Sequence, residues 1–421
     1  MSERLTLNMG LRYDLDIGVL GENIRLMPFL SGDRPSDTNN FAPRLGFAYS
    51  LNDRTVIRGG YGLYFAQILN DGGHNPKMMT QILVPETPND GRPDFVTNPY
   101  NNNPPTYEQV EATLCNGSND NFTPGGFPGC VRRDITLELP SPGYDISYSH
   151  QSSIGIQRQI GSGSAFETNF VFTGSRGERF NNRNANLTYN RQTGTNNPFS
   201  NVNLRAYPEF GLVRMDWLEG WSNYNGWESS FTRRFGDGWQ LAATYTLAML
   251  KDSEPYAWDT VNERFLDFPV APDLGADYQL APTDQRHRAV VNGIWEMGRG
   301  FQLSGLYFFG SGSRYSTNFG GDERDTGGLT SARLRPDGVI VPRTDLVGEP
   351  LHRVDVRFQK RLSLGGNRSV DGIVEVFNLF NHENFGSYTT QQSNANYGRP
   401  SFDSNVAYQP RIVQLGFRFA F

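Results

Sequence analysis

The chain has 421 residues and a net charge of −6, with acids and bases scattered rather than blocked, so no basic stripe offers a nucleic-acid surface. Aromatics are plentiful (29 Phe, 19 Tyr, 6 Trp) and glycine reaches 46, yet mean hydropathy is −0.54 and no window approaches 18 consecutive apolar residues, which excludes a transmembrane helix. A wet average with many aromatics fits apolar residues spread by alternation, the pattern of a membrane β-strand that hydropathy windows miss.

The opening MSERLTLNMG has no basic segment followed by an apolar run, so no secretory signal is legible there. For an exported protein this points to a fragment. Residues 4–15 set Leu5, Leu7, Met9, Leu11, Tyr13 and Leu15 on one face and Arg4, Thr6, Asn8, Gly10, Arg12 and Asp14 on the other. Period two predicts a strand, and a tilted strand crosses a bilayer in about 9–11 residues. After a connection punctuated by Gly32, Asp33, Pro35 and Asn39, residues 41–51 alternate again. Only Asn52, Asp53 and Arg54 separate them from the next strand, 55–65.

Residues 66–143 read as one large loop. Strands 144–160 and 164–173 follow, joined at Gly161-Ser162-Gly163. A long connection, 174–222, contains a short strand at 210–218. Strands 224–235 and 239–250 turn at Gly236-Asp237-Gly238, and strands 285–297 and 301–315 at Gly298-Arg299-Gly300. Strands 351–364 and 369–380 turn at Gly365-Gly366-Asn367, and residues 411–421 form the terminal strand.

This makes about twelve spanning strands whose connections alternate long and short. Outer-membrane barrels have short periplasmic turns and long extracellular loops, whereas soluble sandwiches and propellers use strands of about 5–6 residues without that strict alternation. The expected fold is therefore all-β, an antiparallel transmembrane β-barrel in the cell outer membrane, with residues 1–421 belonging to one barrel domain. On its polar face stand Arg12, Arg44, Arg58, Arg353, Asp355, Arg357, Arg361, Glu375 and Arg418. A charge at mid-bilayer costs about 2–4 kcal/mol, so these are expected to face the lumen, each arginine paired with a carboxylate on a neighbouring strand. Tyr13, Tyr49, Trp239 and Trp295, near strand ends, fit interface girdles.

Catalytic patterns are missing. His74, His150, His287, His352 and His382 lack metal-ligand spacing, and the glycine runs precede no helix. His150 with Ser152 is the nearest approach to a nucleophile pair, and an ordinary strand histidine is much the better reading. The acidic piece at 321–325 lacks the ligand order of a calcium hand and reads as a solvated loop tip. No enzymatic activity and no cofactor are expected. Cys115 and Cys130, with fourteen residues between them, could close a disulfide worth about 3 kcal/mol in an oxidising compartment, or remain two thiols.

Five phrases, in order, resemble TonB-dependent receptors of the Oar-like group: Phe41-Ala42-Pro43-Arg44-Leu45-Gly46-Phe47, Arg58-Gly59-Gly60-Tyr61-Gly62, Asn223-Tyr224-Asn225, Phe377-Asn378-Leu379-Phe380-Asn381 and Gly416-Phe417-Arg418-Phe419-Ala420-Phe421. The resemblance implies a 22-stranded barrel of which this chain holds the C-terminal portion, without plug, TonB-box or signal peptide. It also implies energised import of a bulky extracellular ligand, coupled to the TonB complex only through a plug domain outside this chain. Phe417, Phe419 and Phe421 would then be the C-terminal signal read by the β-barrel assembly machinery, and outer-membrane lipid would surround the wall. The ligand itself is not legible. A passive porin, a surface adhesin and a soluble secreted β-protein are the other readings. Residues 4–15 would either replace the missing partner of the terminal strand or leave that edge open.

Overall fold

Alternation along the chain becomes one continuous antiparallel sheet. The computed structural model describes residues 4–19, 21–67, 71–79, 89–101, 103–112, 133–140, 146–182, 184–190, 195–253, 257–259, 264–266, 278–319, 325–327, 341–402 and 409–421. Twelve long strands form the wall: β1 (Leu5–Tyr13), β2 (Phe41–Asn52), β3 (Thr55–Phe65), β4 (Tyr148–Ile160), β5 (Ser164–Asn182), β6 (Phe210–Gly236), β7 (Trp239–Asp252), β8 (His287–Gly298), β9 (Phe301–Gly310), β10 (Leu351–Gly365), β11 (Arg368–Phe377) and β12 (Ile412–Ala420). Each pairs with its neighbours in chain order. Among the described residues no helix is long and apolar enough to cross a membrane, a test that is silent about strands.

Register turns the sequence pattern into two faces. Leu5, Leu7, Met9 and Leu11 stand opposite Tyr49, Phe47, Leu45 and Pro43. The same row logic carries Trp239, Trp295, Leu303, Phe358, Val374 and Leu415 across β7 to β12 on one side. Directly opposite residues in an antiparallel pair share a face, so one face of the sheet is mainly apolar. The other carries Arg44, Arg58, Arg357, Glu375 and Arg418.

The tight turns use the residues that tolerate left-handed backbone. Arg299 adopts φ 53° between Gly298 and Gly300, and Gly365 and Gly366 adopt φ 90° and 59°. Within the wall, glycine answers a different need. A Cβ on Gly59 would come within 2.7 Å of the Phe47 ring and 2.9 Å of the Ser153 carbonyl oxygen.

Several boundaries move. The separate strand expected at 210–218 is the first part of β6, a single strand of 27 residues. Two register irregularities around Gly220 absorb the residues that break the alternation, and β5 extends to Asn182 to pair with it. The strand expected at 301–315 stops at Gly310, and Arg314–Tyr315 instead pair with Leu346–Val347. The strand expected at 369–380 stops at Phe377 because Asn378 turns to φ 50°. There the Asn378 amide donates to the Asp355 carboxylate at 2.9 Å, and its side chain donates to the carbonyls of His382 and Gln409. The large loop at 66–143 contains a helix, α1 (Asp71–Met79), a short helix (Tyr107–Glu111) and a strand (Arg133–Pro140) that pairs in parallel with the start of β6.

The sheet path ends at β1 and β12, and among the described residues no pairing joins them. Of the two outcomes expected for the terminal strand, the open edge is the one seen. Burial is distributed unusually: few wall residues are buried, and the main cluster of buried apolar side chains, including Leu30, Met79, Ile135, Leu139 and Val213, lies where the long connections meet the top of β6.

The face assignment can be tested at adjacent residues. Leu11, 69% exposed on the apolar face, should not tolerate Leu11→Arg, which would place a charge toward lipid at about 2–4 kcal/mol, while Arg12→Leu should assemble. Heat-modifiable gel migration reads both, and equal behaviour would overturn the assignment.

Candidate functional site

The long connections knit together at one end of the wall. Leu26, Phe29 and Leu30 from the β1–β2 connection, Met79, Ile135 and Leu139 from the β3–β4 connection, and Val213 and Met215 of β6 form one buried cluster. The Phe29 ring meets Tyr207 and Phe210 edge-on, with centroids 4.7 and 5.0 Å apart. Apolar burial at about 25 cal/mol per Å² gives such a cluster the driving force of a small domain core. These connections therefore form a structured cap.

Asn186 and Asp134 are matched polar groups inside the cap. Asn186, fully buried, directs its amide nitrogen at the carbonyls of Tyr207, Phe210 and Gly211, while its side-chain oxygen accepts from the Tyr207 amide at 2.6 Å. Asp134 accepts the Leu212 amide at 2.7 Å. Burial pushes the Asp134 carboxyl above the ordinary aspartate range, against the opposing pull of that amide and of Arg205.

A second, more polar half joins the connections after β7, β9 and β11. Buried Asp284 accepts the Leu250 amide at 2.8 Å and the Arg314 guanidinium at 3.1 Å. Arg343 pairs with Asp252, and its burial lowers its pKa to about 10. Thr317 donates to Asp345 and exchanges a 2.6 Å bond with Tyr397. Asp325 accepts from Ser200, and Asn184 donates to the Thr326 carbonyl at 2.7 Å, which ties this half to the β5–β6 connection.

The charges singled out in the sequence share the polar face and find partners there. Arg58 pairs with Glu167 and Arg361 with Asp371 at 2.8 Å, while Arg357 lies 3.7 Å from Glu375. Arg353 pairs with Asp355 at 2.8 Å and Arg12 with Asp14 at 2.6 Å along their own strands. Arg44 lies over the Tyr64 ring at 4.7 Å. Arg418 stands opposite Asp371 in register. A hollow of about 500 Å³ opens where Gly46 faces Gly60, between Asn8, Arg44, Gln151 and Thr173. Phe417 and Phe419 lie on the apolar face of β12, whose outer edge is unpaired.

Sequence reasoning missed Glu167, Asp284, Arg343, Asp371 and Asn186. Asp371 and Glu167 were findable, since each sits at an even-spaced polar position of a strand. The others depend on contacts between connections far apart in the chain. His150 is held by Tyr61 at 2.8 Å rather than by Ser152. Cys115, Cys130 and residues 321–324 lie outside the described residues.

The profile of the outer membrane beta barrel domain family matches residues 1–340. No curated protein matches the sequence. Among solved structures, the chain is similar to the outer membrane transporter YddB from Escherichia coli, at 11% identity and a TM-score of 0.51, covering 99% of this chain and 43% of that one. It is also similar to the ferric-catecholate import receptor Fiu from K12 E. coli, at 12% identity and a TM-score of 0.47, covering 100% and 43%. The FrpB iron transporter from Neisseria meningitidis gives 12% identity and 0.47, covering 100% and 44%. The chain thus spans less than half the length of each, and at such identity the likeness to YddB bears on the fold alone.

Two outcomes follow from the cap. Leu139→Ala should cost the cluster about 2–5 kcal/mol, seen as faster protease cleavage of the cap with unchanged heat-modifiable migration of the wall. Because the Asp134 pKa is raised in the folded cap, the folded state binds the extra proton, so cap stability should rise as pH falls through that raised value and be lower above it. Protection of the Leu212 amide from hydrogen exchange, corrected for intrinsic rate, should increase on acidification, and Asp134→Asn should remove the dependence.

Proposed function

The chain belongs to the outer membrane beta barrel domain family, and we propose that it supplies wall and extracellular cap to a receptor that takes up a bulky ligand across the outer membrane. The observation that carries this reading is the cap itself. Connections from six strand pairs meet at one end of the sheet around a buried core and a polar network, while the other end has only tight turns. A passive pore needs no such construction. Loops held rigidly on a scaffold suit recognition.

The polar face then lines the lumen, and the apolar face meets lipid. Paired charges at Arg58–Glu167 and Arg361–Asp371 keep the lumen wet without leaving isolated ions. The hollow at Gly46 and Gly60 is shallow, and its glycine floor would let a polar domain in the lumen approach the backbone closely. Consistent with the resemblance of the five ordered phrases to Oar-like TonB-dependent receptors, energy coupling would come through a plug domain and the TonB complex, and the open edges at β1 and β12 would be completed by further strands toward a 22-stranded barrel. Phe417, Phe419 and Phe421 would serve the β-barrel assembly machinery as the terminal signal. YddB, whose fold the chain resembles, is an outer membrane transporter. Nothing in the cap selects a metal chelate over a peptide or saccharide.

Planar-bilayer recording of the full-length protein tests the reading. A receptor should show no steady current until its lumen is emptied by denaturant. A steady open pore in buffer would establish the passive porin instead.

A further inference from the structure

Three of the five histidines are built into the same device. Tyr61, Tyr245 and Tyr307 are each the seventh residue of their strand, counted from Thr55, Trp239 and Phe301. Each meets a histidine on the next strand, one row farther from the tight turns: the tyrosine hydroxyl lies 2.8 Å from His150 Nδ1, 2.9 Å from His287 Nδ1 and 3.2 Å from His352 Nδ1. Ring planes differ by 26°, 29° and 25°, with centroids 6.0 to 6.4 Å apart. Chance placement of histidine does not give one geometry three times.

All three pairs stand on the apolar face. Tyr61 shares its row with Leu45, Tyr245 with Ala289 and Phe309, and Tyr307 with Val354. On β7 and β8 the row next to the tight turn is Trp239 opposite Trp295, and the row at the far end is Leu247 opposite His287. Eight residues at about 3.4 Å each span about 27 Å along the strand. Tilted at roughly 40°, this covers about 20 Å of membrane normal, close to the apolar band of about 25 Å. Tryptophan thus marks one rim of that band and the tyrosine–histidine pairs mark the other, beside the cap.

With Nδ1 occupied by the phenol, the ring nitrogen left for a further partner on each imidazole is Nε2. A phenol donating to Nδ1 fixes the Nε2–H tautomer, and a protonated ring also donates from Nε2. Further cations share this rim. Lys251 lies in the His150 row and Arg176 one row beyond, whereas the rows that hold the three pairs carry no carboxylate on this face.

We propose that the three tyrosine–histidine pairs are a belt that binds phosphate groups of outer-leaflet lipid. The belt depends only on the membrane wall, not on the receptor reading. Phosphate is the group that a rim of N–H donors and cations without carboxylates would hold, and the tyrosines fix each ring so that little rotamer freedom is lost on binding. Protonation strengthens the contact. The groups facing each ring are Tyr61 and Tyr148 around His150, Tyr245 around His287, and Tyr307, Phe309 and His382 around His352. None is acidic.

The test uses the full-length protein with isotope-labelled histidine in lipid nanodiscs containing either bisphosphorylated lipid A or its dephosphorylated form. Histidine NMR should show three imidazoles whose titration midpoints are higher, by about half a unit or more, in the phosphorylated lipid. Inorganic phosphate added to dephosphorylated discs should move none of them. His287→Phe should cut the phosphorylated lipid retained through purification by about threefold, with Arg357→Gln, on the polar face of β10, as the unaffected control. Midpoints equal in the two lipids, or moved as far by inorganic phosphate, would overturn the belt. The wild-type titration decides the matter even where a variant fails to insert, and heat-modifiable migration in parallel reports the wall separately.

Discussion

Hydrocarbon offers no partner to a peptide group, so every N–H and C=O that crosses a membrane must be bonded within the protein. In this chain the antiparallel ladder of twelve strands meets that demand everywhere but along the outer edges of β1 and β12, and the other features follow from it. Period-two geometry forces alternate side chains to opposite faces, which is why Leu7, Phe47 and Trp295 stand on one face of the sheet while Arg58, Arg361 and Glu375 stand on the other. The same ladder sets the connections. Neighbours in chain order need only a tight turn at one end, and whatever length remains is available at the other.

That remaining length carries the core. In a soluble domain the hydrophobic core lies between the elements, but a membrane wall has no second layer and exposes its apolar residues by design. Burial has therefore moved to the cap, where Phe29, Ile135, Leu139 and Val213 come from three separate parts of the chain. β6 links the two regions. Its lower half belongs to the wall between β5 and β7, and its upper half pairs with Arg133–Pro140 and supports the cap. A ligand held by the cap would be mechanically continuous with the barrel through this strand.

Charge follows the same division. Within the wall, ion pairs are lateral, between neighbouring strands or two residues along one strand. In the cap some are long-range, as with Arg343 and Asp252 or Arg314 and Asp284, and these hold connections that have no ladder between them. Asp284 shows the difference: one buried carboxylate serves a backbone amide of β7 and the guanidinium of Arg314 after β9. Removing Arg314 would leave the buried carboxylate with the Leu250 amide and the Arg286 guanidinium at 3.8 Å, which is costlier than losing a surface pair.

Strand number, strand faces and tight turns were legible in the residues themselves, because alternation and the Gly-Asp-Gly or Gly-Gly-Asn turns are local and repeat along the chain. The lateral pairs were half legible: Arg361 stood out on its polar face, but its partner Asp371 required the register of β10 against β11. The tyrosine–histidine pairs were invisible, since Tyr61 and His150 lie 89 positions apart and only the diagonal geometry of adjacent strands reveals the repeat. The cap was hidden for a stronger reason. Its residues come from connections whose composition of Asn, Gly and Pro looks like any exposed loop, and their burial is created by one another rather than by any pattern within each. Local periodicity determined the wall; only contacts between distant segments decided that its long connections close into a cap.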